Sequence, residues 1–360
     1  MMLSKLLLCI LLVSVLTFSS VKSQGFTCKS TTKCKSVAGY VSPNATTLSD
    51  IANLFGLTDF NLFLGANNFP MEDTSPRKSV AAKETIKIPF TCSCKNGTGI
   101  SDNTPVYKVK AGEGLDHIAR NIFSLLVTYQ EIASVNNIAD PNKIQVGQSL
   151  MIPLPCSCDA VDGNQVVHYA HTVPPKETLE MIGKEFGVTE KTLLVLNDLV
   201  DAKDLKAESV LDVPLKVCTT SVNKTSPDYP MLVPNGTYIV TANNCVRCAI
   251  NCASSPFGTK VENWQECPSS RCEGRDPEVF IYPLGGNDYY LNRNCVERTC
   301  AYTGYNNQSQ TISSSMINVT KCGPDVSPPP SGSPSMNLQG WNILWLTISL
   351  GSLLCSFLLS

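Results

Sequence analysis

Pro105-Val106-Tyr107-Lys108-Val109-Lys110-Ala111-Gly112-Glu113-Gly114-Leu115-Asp116-His117-Ile118 opens the stretch, Pro105 to Cys158, whose reading decides the fold. The run 105–109 reads as a strand and Gly112-Glu113-Gly114 as a turn. Leu115, Ile118 and Ile122, at i, i+3 and i+7, predict one apolar face of a helix. Thr128 followed by Glu131 has the form of a capping box and predicts the start of a second helix, which runs to Asn136-Asn137-Ile138. Leu150-Met151-Ile152-Pro153 returns to strand before Cys156-Ser157-Cys158. The order is strand, helix, helix, strand. A unit of about 50 residues buries too little apolar surface to offset much chain entropy, so cross-links or packed neighbours are expected.

The same order recurs on both sides. Leu48, Ile51 and Phe55 repeat the spacing upstream, and Leu179, Ile182 and Phe186 repeat it downstream. In Phe55-Gly56-Leu57-Thr58 and Phe186-Gly187-Val188-Thr189 the Gly would end the first helix and the Thr would cap the second. Each copy then has an Asn (Asn67, Asn136, Asn197) and closes on a β-rich segment ending in Pro89, Pro153 or Pro214. Asn136 to Pro153 and Asn197 to Pro214 each span 17 positions, whereas Asn67 to Pro89 spans 22, so the second loop of the first copy is longer. Periodic recurrence of this kind predicts three tandem βααβ units in an α+β chain.

At this point the residues resemble a known family. The units are similar to LysM modules, and three of them separated by Cys92-Ser93-Cys94 and Cys156-Ser157-Cys158 resemble the plant LysM receptors that carry a GPI anchor. The segments 114–121 and 128–133, Asn136-Asn137-Ile138 and 140–144 are similar to the second module of a chitin-binding member. On this resemblance the chain divides into leader and LysM module 1 (24–94), module 2 (105–158) and module 3 (166–218). Thiols two apart in an extended chain lie near the limit of disulfide reach, so the partners of each Cys-Ser-Cys lie elsewhere. Six cysteines allow 15 pairings and spacing does not choose among them. The resemblance implies Cys28–Cys94, Cys34–Cys158 and Cys92–Cys156, which would clamp the modules together. Zinc is the competing reading of the cysteines; an exported chain without nearby His in ligand spacing argues against any metal.

The two ends of the chain are apolar. Lys5, the run from Leu6 to Phe18 and the small-residue exit at Val21-Lys22-Ser23 have the form of a secretory signal, 1–23. Trp341 to Ser360 is apolar with no basic residue behind it, unlike a single-pass helix, which usually has basic residues on its cytoplasmic side. Ser331-Gly332-Ser333 and a short spacer before it fit a GPI signal, with attachment at Ser331 (Ser333 second), a Pro/Ser stalk at 323–335 and a removed tail at 336–360. An extracellular, plasma-membrane location follows. Of the 17 cysteines, fifteen remain without Cys9 and Cys355, a density expected of an oxidising compartment. Sequons at Asn44, Asn96, Asn223, Asn235, Asn307 and Asn318 predict N-glycosylation. A net charge of -2 gives no sign of nucleic-acid binding.

Residues 219–237, polar with three prolines, read as a linker. The region 238–322 reads as a small disulfide-rich, mostly β and loop domain, with Phe280-Ile281-Tyr282 and Asp288-Tyr289-Tyr290-Leu291 as strands. Nine cysteines lie outside the first six, leaving one odd thiol; Cys218, which lacks the Cys-Ser-Cys form, is the candidate.

The ligand the resemblance implies is chitin. An uncharged, extended chain with an acetamide on every sugar needs backbone donors and acceptors, apolar surface and few charges. In module 2 a groove between two loops would supply these, formed by Gly112, Glu113, Gly114, Leu115 and Asp116 on one side. Asn137, Ile138, Ala139, Asp140, Pro141, Asn142, Lys143 and Ile144 form the other. Gly112 and Gly114 permit close backbone approach; turn, core and helix-stop roles explain the same residues without a ligand. Of the three Trp, Trp341 and Trp345 lie in the removed tail and Trp264 outside the modules, so single sites should be weak and long oligomers favoured. An enzyme needs paired carboxylates; Glu266, Glu273, Asp276 and Glu278 have no catalytic form, and His117, His168 and His171 read as surface or loop side chains. The resemblance implies no cofactor, a LysM receptor kinase as co-receptor and a homodimer induced by ligand. Peptidoglycan recognition and plain wall tethering are the alternatives.

Overall fold

A computed structural model describes residues 25–71, 74–103, 105–218, 220–251, 254–260, 267–273, 281–288 and 296–320. The expected signal, stalk, Ser331 and tail lie outside the described residues, as do Trp264, Glu266, Asp276 and Glu278.

Strand, helix, helix, strand occurs three times. The helices are α1 (Leu48–Phe55), α2 (Phe60–Ala66), α3 (Leu115–His117), α4 (Tyr129–Val135), α5 (Leu179–Phe186) and α6 (Glu190–Leu196). Local chemistry sets their ends. Thr47 and Thr178 accept the Asp50 and Met181 amides to start α1 and α5, and Gly56 and Gly187 end them in the left-handed conformation at φ 64° and 67°. Thr128 and Glu131 form the reciprocal capping box of α4. In the first copy Asp59, not Thr58, caps α2 by accepting the Leu62 amide. The middle copy departs from a regular first helix: after α3 the chain widens into a π-turn over Ile118–Ile122, closed by Phe123 N–H to the Ile118 carbonyl. The extra residue per turn puts Phe123 into the core and leaves Ile122 half-buried.

Each repeat Asn has the same task. Asn67, Asn136 and Asn197 follow α2, α4 and α6, and each side chain exchanges two hydrogen bonds with one residue of the closing strand, Lys87, Met151 and Asp212 respectively. The five extra residues of the first copy loop out without disturbing this pairing.

The first and third copies share a sheet. Its order is Phe26–Thr27, Thr98–Ser101, Thr85–Lys95, Cys34–Val41, Val166–Thr172, Val210–Lys216. The two halves join through parallel pairing of Val37 with Tyr169 and Ala38 with Ala170. The middle copy keeps its own ribbon, Val106–Lys108 with Ser149–Met151, and joins the first through the core. Tyr40, Phe55, Phe123 and Tyr107 stack edge-on in a row with centroids 5.0, 5.6 and 5.7 Å apart. Neighbouring copies thus supply the apolar surface that one copy lacks.

Disulfides Cys28–Cys94, Cys34–Cys158 and Cys92–Cys156 bridge the leader and the two separators. They close loops of 66, 124 and 64 residues. In chain-entropy terms each stabilises by about 4–5 kcal/mol, the longest loop most.

Two expectations for the carboxyl-terminal region require correction. Of residues 219–237, the described ones are not a free linker: Val222, Met231 and Val233 are buried in the same cluster as Cys245, Cys272 and Tyr302. Asn223 N–H donates to the Thr303 carbonyl at 2.8 Å, and Asp228 accepts from the Tyr302 and Thr241 hydroxyls. The segment that leads into this region thus contributes to its core. Cys218 is disulfide-bonded and so is not the odd thiol. Cys245–Cys267 and Cys272–Cys300 are further bridges, and the free thiol among the described residues is Cys248. Burial, with the Asp228 carboxylate nearby, pushes it up to about 12. The strand Ile281–Pro283 overlaps the first expected segment at Ile281 and Tyr282, and Asn287–Asp288 meets the second at Asp288; Phe280 and Tyr289 to Leu291 lie outside the described residues.

This region is seated on the first copy. Helix α2 packs on the strand Thr237–Thr241, where a Cβ on Gly65 would lie 2.1 Å from the Tyr238 carbonyl, and Tyr238 Oη donates to the Phe69 carbonyl at 2.6 Å.

Candidate functional site

The two expected loops of the middle copy leave its ribbon from the same end. Lys108 pairs with Ser149, Val109 N–H donates to the Gln148 carbonyl at 2.9 Å and Gly147 N–H to the Val109 carbonyl at 2.8 Å. Gly112 lies three residues beyond this clasp and Ile144 three before it.

The first loop is held by its acid. Glu113 accepts from Tyr107 Oη at 2.8 and 3.0 Å and from the Lys110 amide at 2.8 Å. Burial, followed by this carboxylate, raises the Tyr107 pKa, so the phenol stays a donor. Gly112 turns at φ 83°, and a Cβ at Gly112 or Gly114 would meet nothing within 4 Å, so this backbone faces open space. Asp116 is exposed and paired with Arg120 at 3.0 Å. The Leu115 side chain is 2% exposed in the core, which leaves only its backbone for a ligand.

The second loop is likewise self-bonded. Asn137 is exposed at φ 53°, and Ile138 N–H donates to the Ala133 carbonyl at 2.9 Å. Asp140 accepts from the Asn142 amide at 3.1 Å and pairs with Lys143 at 3.3 Å; these contacts hold its carboxyl below the usual range. Ile138 and Ile144 are half-buried against the core, Pro141 is half-buried, and Ala139, Asn142 and Lys143 are exposed. Among the described residues no hydrogen bond or ion pair joins 112–116 to 137–144. Both loops thus have their carboxylates paired by nearby groups, and the first has its glycine backbone open.

Two clefts lie elsewhere. One of about 270 Å³ between the first and middle copies has Tyr40, Asn44, Asp50, Tyr107 and Lys110 on its walls. Another of about 750 Å³ lies between the first and third copies, walled by Phe69 and Lys87 on one side and Tyr169 and Phe186 on the other. Sequence reasoning missed both, because their walls come from segments far apart in the chain.

The histidines divide. His117 is exposed. His171 is half-buried and bonded to Glu177 at 2.7 Å, in the place that Tyr107 and Glu113 hold in the middle copy. His168 is not the surface or loop side chain expected: it is buried, with Nδ1 on the Asp212 carboxylate at 2.9 Å and Nε2 on the Asp159 carbonyl at 2.8 Å. Glu273 is exposed on a strand, and all six sequon Asn side chains are exposed.

Comparison with known proteins gives this geometry a family. The LysM domain matches residues 107–153 and 171–214. The LysM domain-containing GPI-anchored protein 2 of Arabidopsis thaliana is 42% identical over 329 residues, 88% of this chain and 89% of that protein. The chitin elicitor-binding protein of Oryza sativa subsp. japonica is 46% identical over 294 residues, 80% of this chain and 79% of that one. Among solved structures, the ectodomain of a receptor-like kinase aligns over 94% of its length with 52% of this chain, at 20% identity and a TM-score of 0.44. Among the described residues no helix is long and apolar enough to cross a membrane. The chain belongs to the plant LysM domain-containing GPI-anchored proteins.

Proposed function

We propose that this protein is a cell-surface receptor for chitin oligomers, with its site in the loops 112–116 and 137–144 of the middle LysM module. In this reading the first copy is a third LysM module. The chain is secreted, attached to the outer face of the plasma membrane by GPI at Ser331, and non-catalytic. It passes its signal through a membrane-spanning LysM receptor kinase, with the oligomer joining two ectodomains.

The observation that carries the reading is the 46% identity with a chitin elicitor-binding protein over 80% of this chain. The loops add chemical support. Glu113 and Asp140 are bonded within their own turns, so an uncharged sugar meets backbone amides and glycine surface rather than unpaired charge. With so shallow a surface, affinity would come from long oligomers that engage two molecules.

The test is calorimetric titration of residues 24–326 with chitin oligomers of increasing length and with peptidoglycan fragments. A variant in which 137–144 is replaced by 198–205 accompanies it. Binding that tightens with chitin length and disappears in the variant is the expected result. Preference for peptidoglycan, or indifference to the exchange, would move the ligand class or the site.

A further inference from the structure

We propose that the cleft between the first and third copies is the seat of the protein's own N-linked glycan at Asn235, whose first two N-acetylglucosamine residues fill it. The proposal rests on the expectation that the sequon Asn235-Gly236-Thr237 is glycosylated.

Asn235 is exposed and forms part of the cleft lining, so a sugar on its amide starts at the mouth of the cleft. Its backbone is fixed to the wall. Asn235 N–H donates to the Lys216 carbonyl at 3.3 Å, Pro234 bridges to Val217, and the buried Thr237 hydroxyl donates to the Pro234 carbonyl at 2.7 Å. A glycan on such a segment leaves in one direction instead of sweeping the solvent.

The walls suit an acetylated sugar. The half-buried rings of Phe69 and Phe186 offer apolar faces, and the Lys87 and Glu185 side chains offer donors and acceptors for hydroxyl and acetamide groups. Lys87 is partly desolvated, its pKa lowered by burial against the opposing pull of Glu185, so polar groups beside it replace lost water. A volume of about 750 Å³ lies within the range of sites that enclose small ligands, on the order of 300–1,000 Å³, and accommodates a disaccharide. Tethering decides between this sugar and a free one. A glycan attached at the lip is present at an effective concentration of order millimolar, above that of any dilute oligomer in solution. The other sequons differ: Asn96, for one, stands exposed on a turn between paired strands.

The cleft also lies where the first copy, the third copy and the segment entering the carboxyl-terminal region meet. A seated glycan would therefore add contacts among all three.

The full glycosylated protein is treated in its native state with peptide:N-glycanase, and release is followed site by site by glycopeptide mass spectrometry. Release at Asn235 is expected to be at least about tenfold slower than at Asn96, as for a group exposed only by local opening. Thr85→Trp, at an exposed residue of the cleft wall, fills the cleft while keeping the sequon, and should bring the two rates together. Equal rates in the unsubstituted protein, or protection that survives Thr85→Trp, would overturn the seat alone. An unmodified Asn235 would overturn the glycan reading as well. Protection of Asn235 that appears only while chitin oligomers are present would assign the cleft to free sugar and also refute the proposal.

Discussion

Asn136 Nδ2 donates to the Met151 carbonyl at 2.8 Å while Asn136 Oδ1 accepts the Met151 amide at 2.9 Å. The same Nδ2 also reaches the Ile132 carbonyl at 2.8 Å, inside the last turn of α4. One amide thus satisfies the helix end and pairs it with the closing strand, and only Asn has both a donor and an acceptor at this reach. Removing it leaves the Met151 N–H and carbonyl short of a partner, while the Ile132 carbonyl keeps the backbone N–H of residue 136. Asn136→Ala is expected to cost about 2–4 kcal/mol, read from urea denaturation. Asn67→Ala and Asn197→Ala, which cut the equivalent bonds, should cost similar amounts. A loss under 0.5 kcal/mol, the scale of an ordinary surface substitution, would show that the pairing is incidental.

Phe123 joins two copies. Its ring stands 5.6 Å from Phe55 of the first copy and 5.7 Å from Tyr107 of its own, fully buried. Ser124 Oγ donates to the Val41 carbonyl at 2.5 Å directly beside it. Phe123→Ala should destabilise by about 3–5 kcal/mol and lower hydrogen-exchange protection in α1 as well as around α4. Loss confined to the middle copy would show that the cores are separate.

Local order was legible in the sequence and distant pairing was not. Leu115 and Ile118, the Thr128–Glu131 box and Gly56 or Gly187 act within one helical turn, so their spacing showed the helices and most of their ends. The π-turn at Ile118–Ile122 escaped because three apolar residues at helical spacing fit a regular helix equally well. The pairing of Val37 with Tyr169 has no local signature, and neither does the cleft beside it. The linker reading failed because prolines outweighed Val222, Met231 and Val233, whose partners lie in another part of the chain. The loops at 112–116 and 137–144 were visible as turns; the proposal that they carry a site comes from resemblance, since exposed glycines and a self-bonded Asp140 serve a bare turn as well.

Gly65 is the point of closest backbone approach between α2 and Tyr238 of the carboxyl-terminal region. A methyl group there would overlap the Tyr238 carbonyl, which is backbone and has little room to yield. Gly65→Ala should therefore separate the two, with new protease cleavage between residues 219 and 237. Tyr238→Phe removes the bond to the Phe69 carbonyl while keeping the ring, and should cost about 1 kcal/mol without new cleavage. Unchanged proteolysis of Gly65→Ala would mean that the interface repacks.

His168 and Asp212 make stability depend on pH. Both ring nitrogens face acceptors, the Asp212 carboxylate and the Asp159 carbonyl, so the imidazolium is the form that satisfies the site. Burial alone would lower the His168 pKa; the carboxylate and carbonyl more than offset it, and the pKa ends above its ordinary 6.5. In the unfolded chain the imidazole loses its proton near 6.5, while the folded pair keeps it to higher pH. The unfolded state then holds fewer protons, so stability falls as pH rises from about 6.5 to the folded pKa, by up to about 1.4 kcal/mol per pH unit. Below 6.5 the contribution is fully present. His168→Gln keeps a donor but has no titrating ring, and should be destabilised at pH 6 and lack this decline. Urea midpoints for both proteins between pH 5.5 and 9 test the assignment: parallel profiles would show that His168 is neutral in the fold and that the decline, if any, belongs to another group.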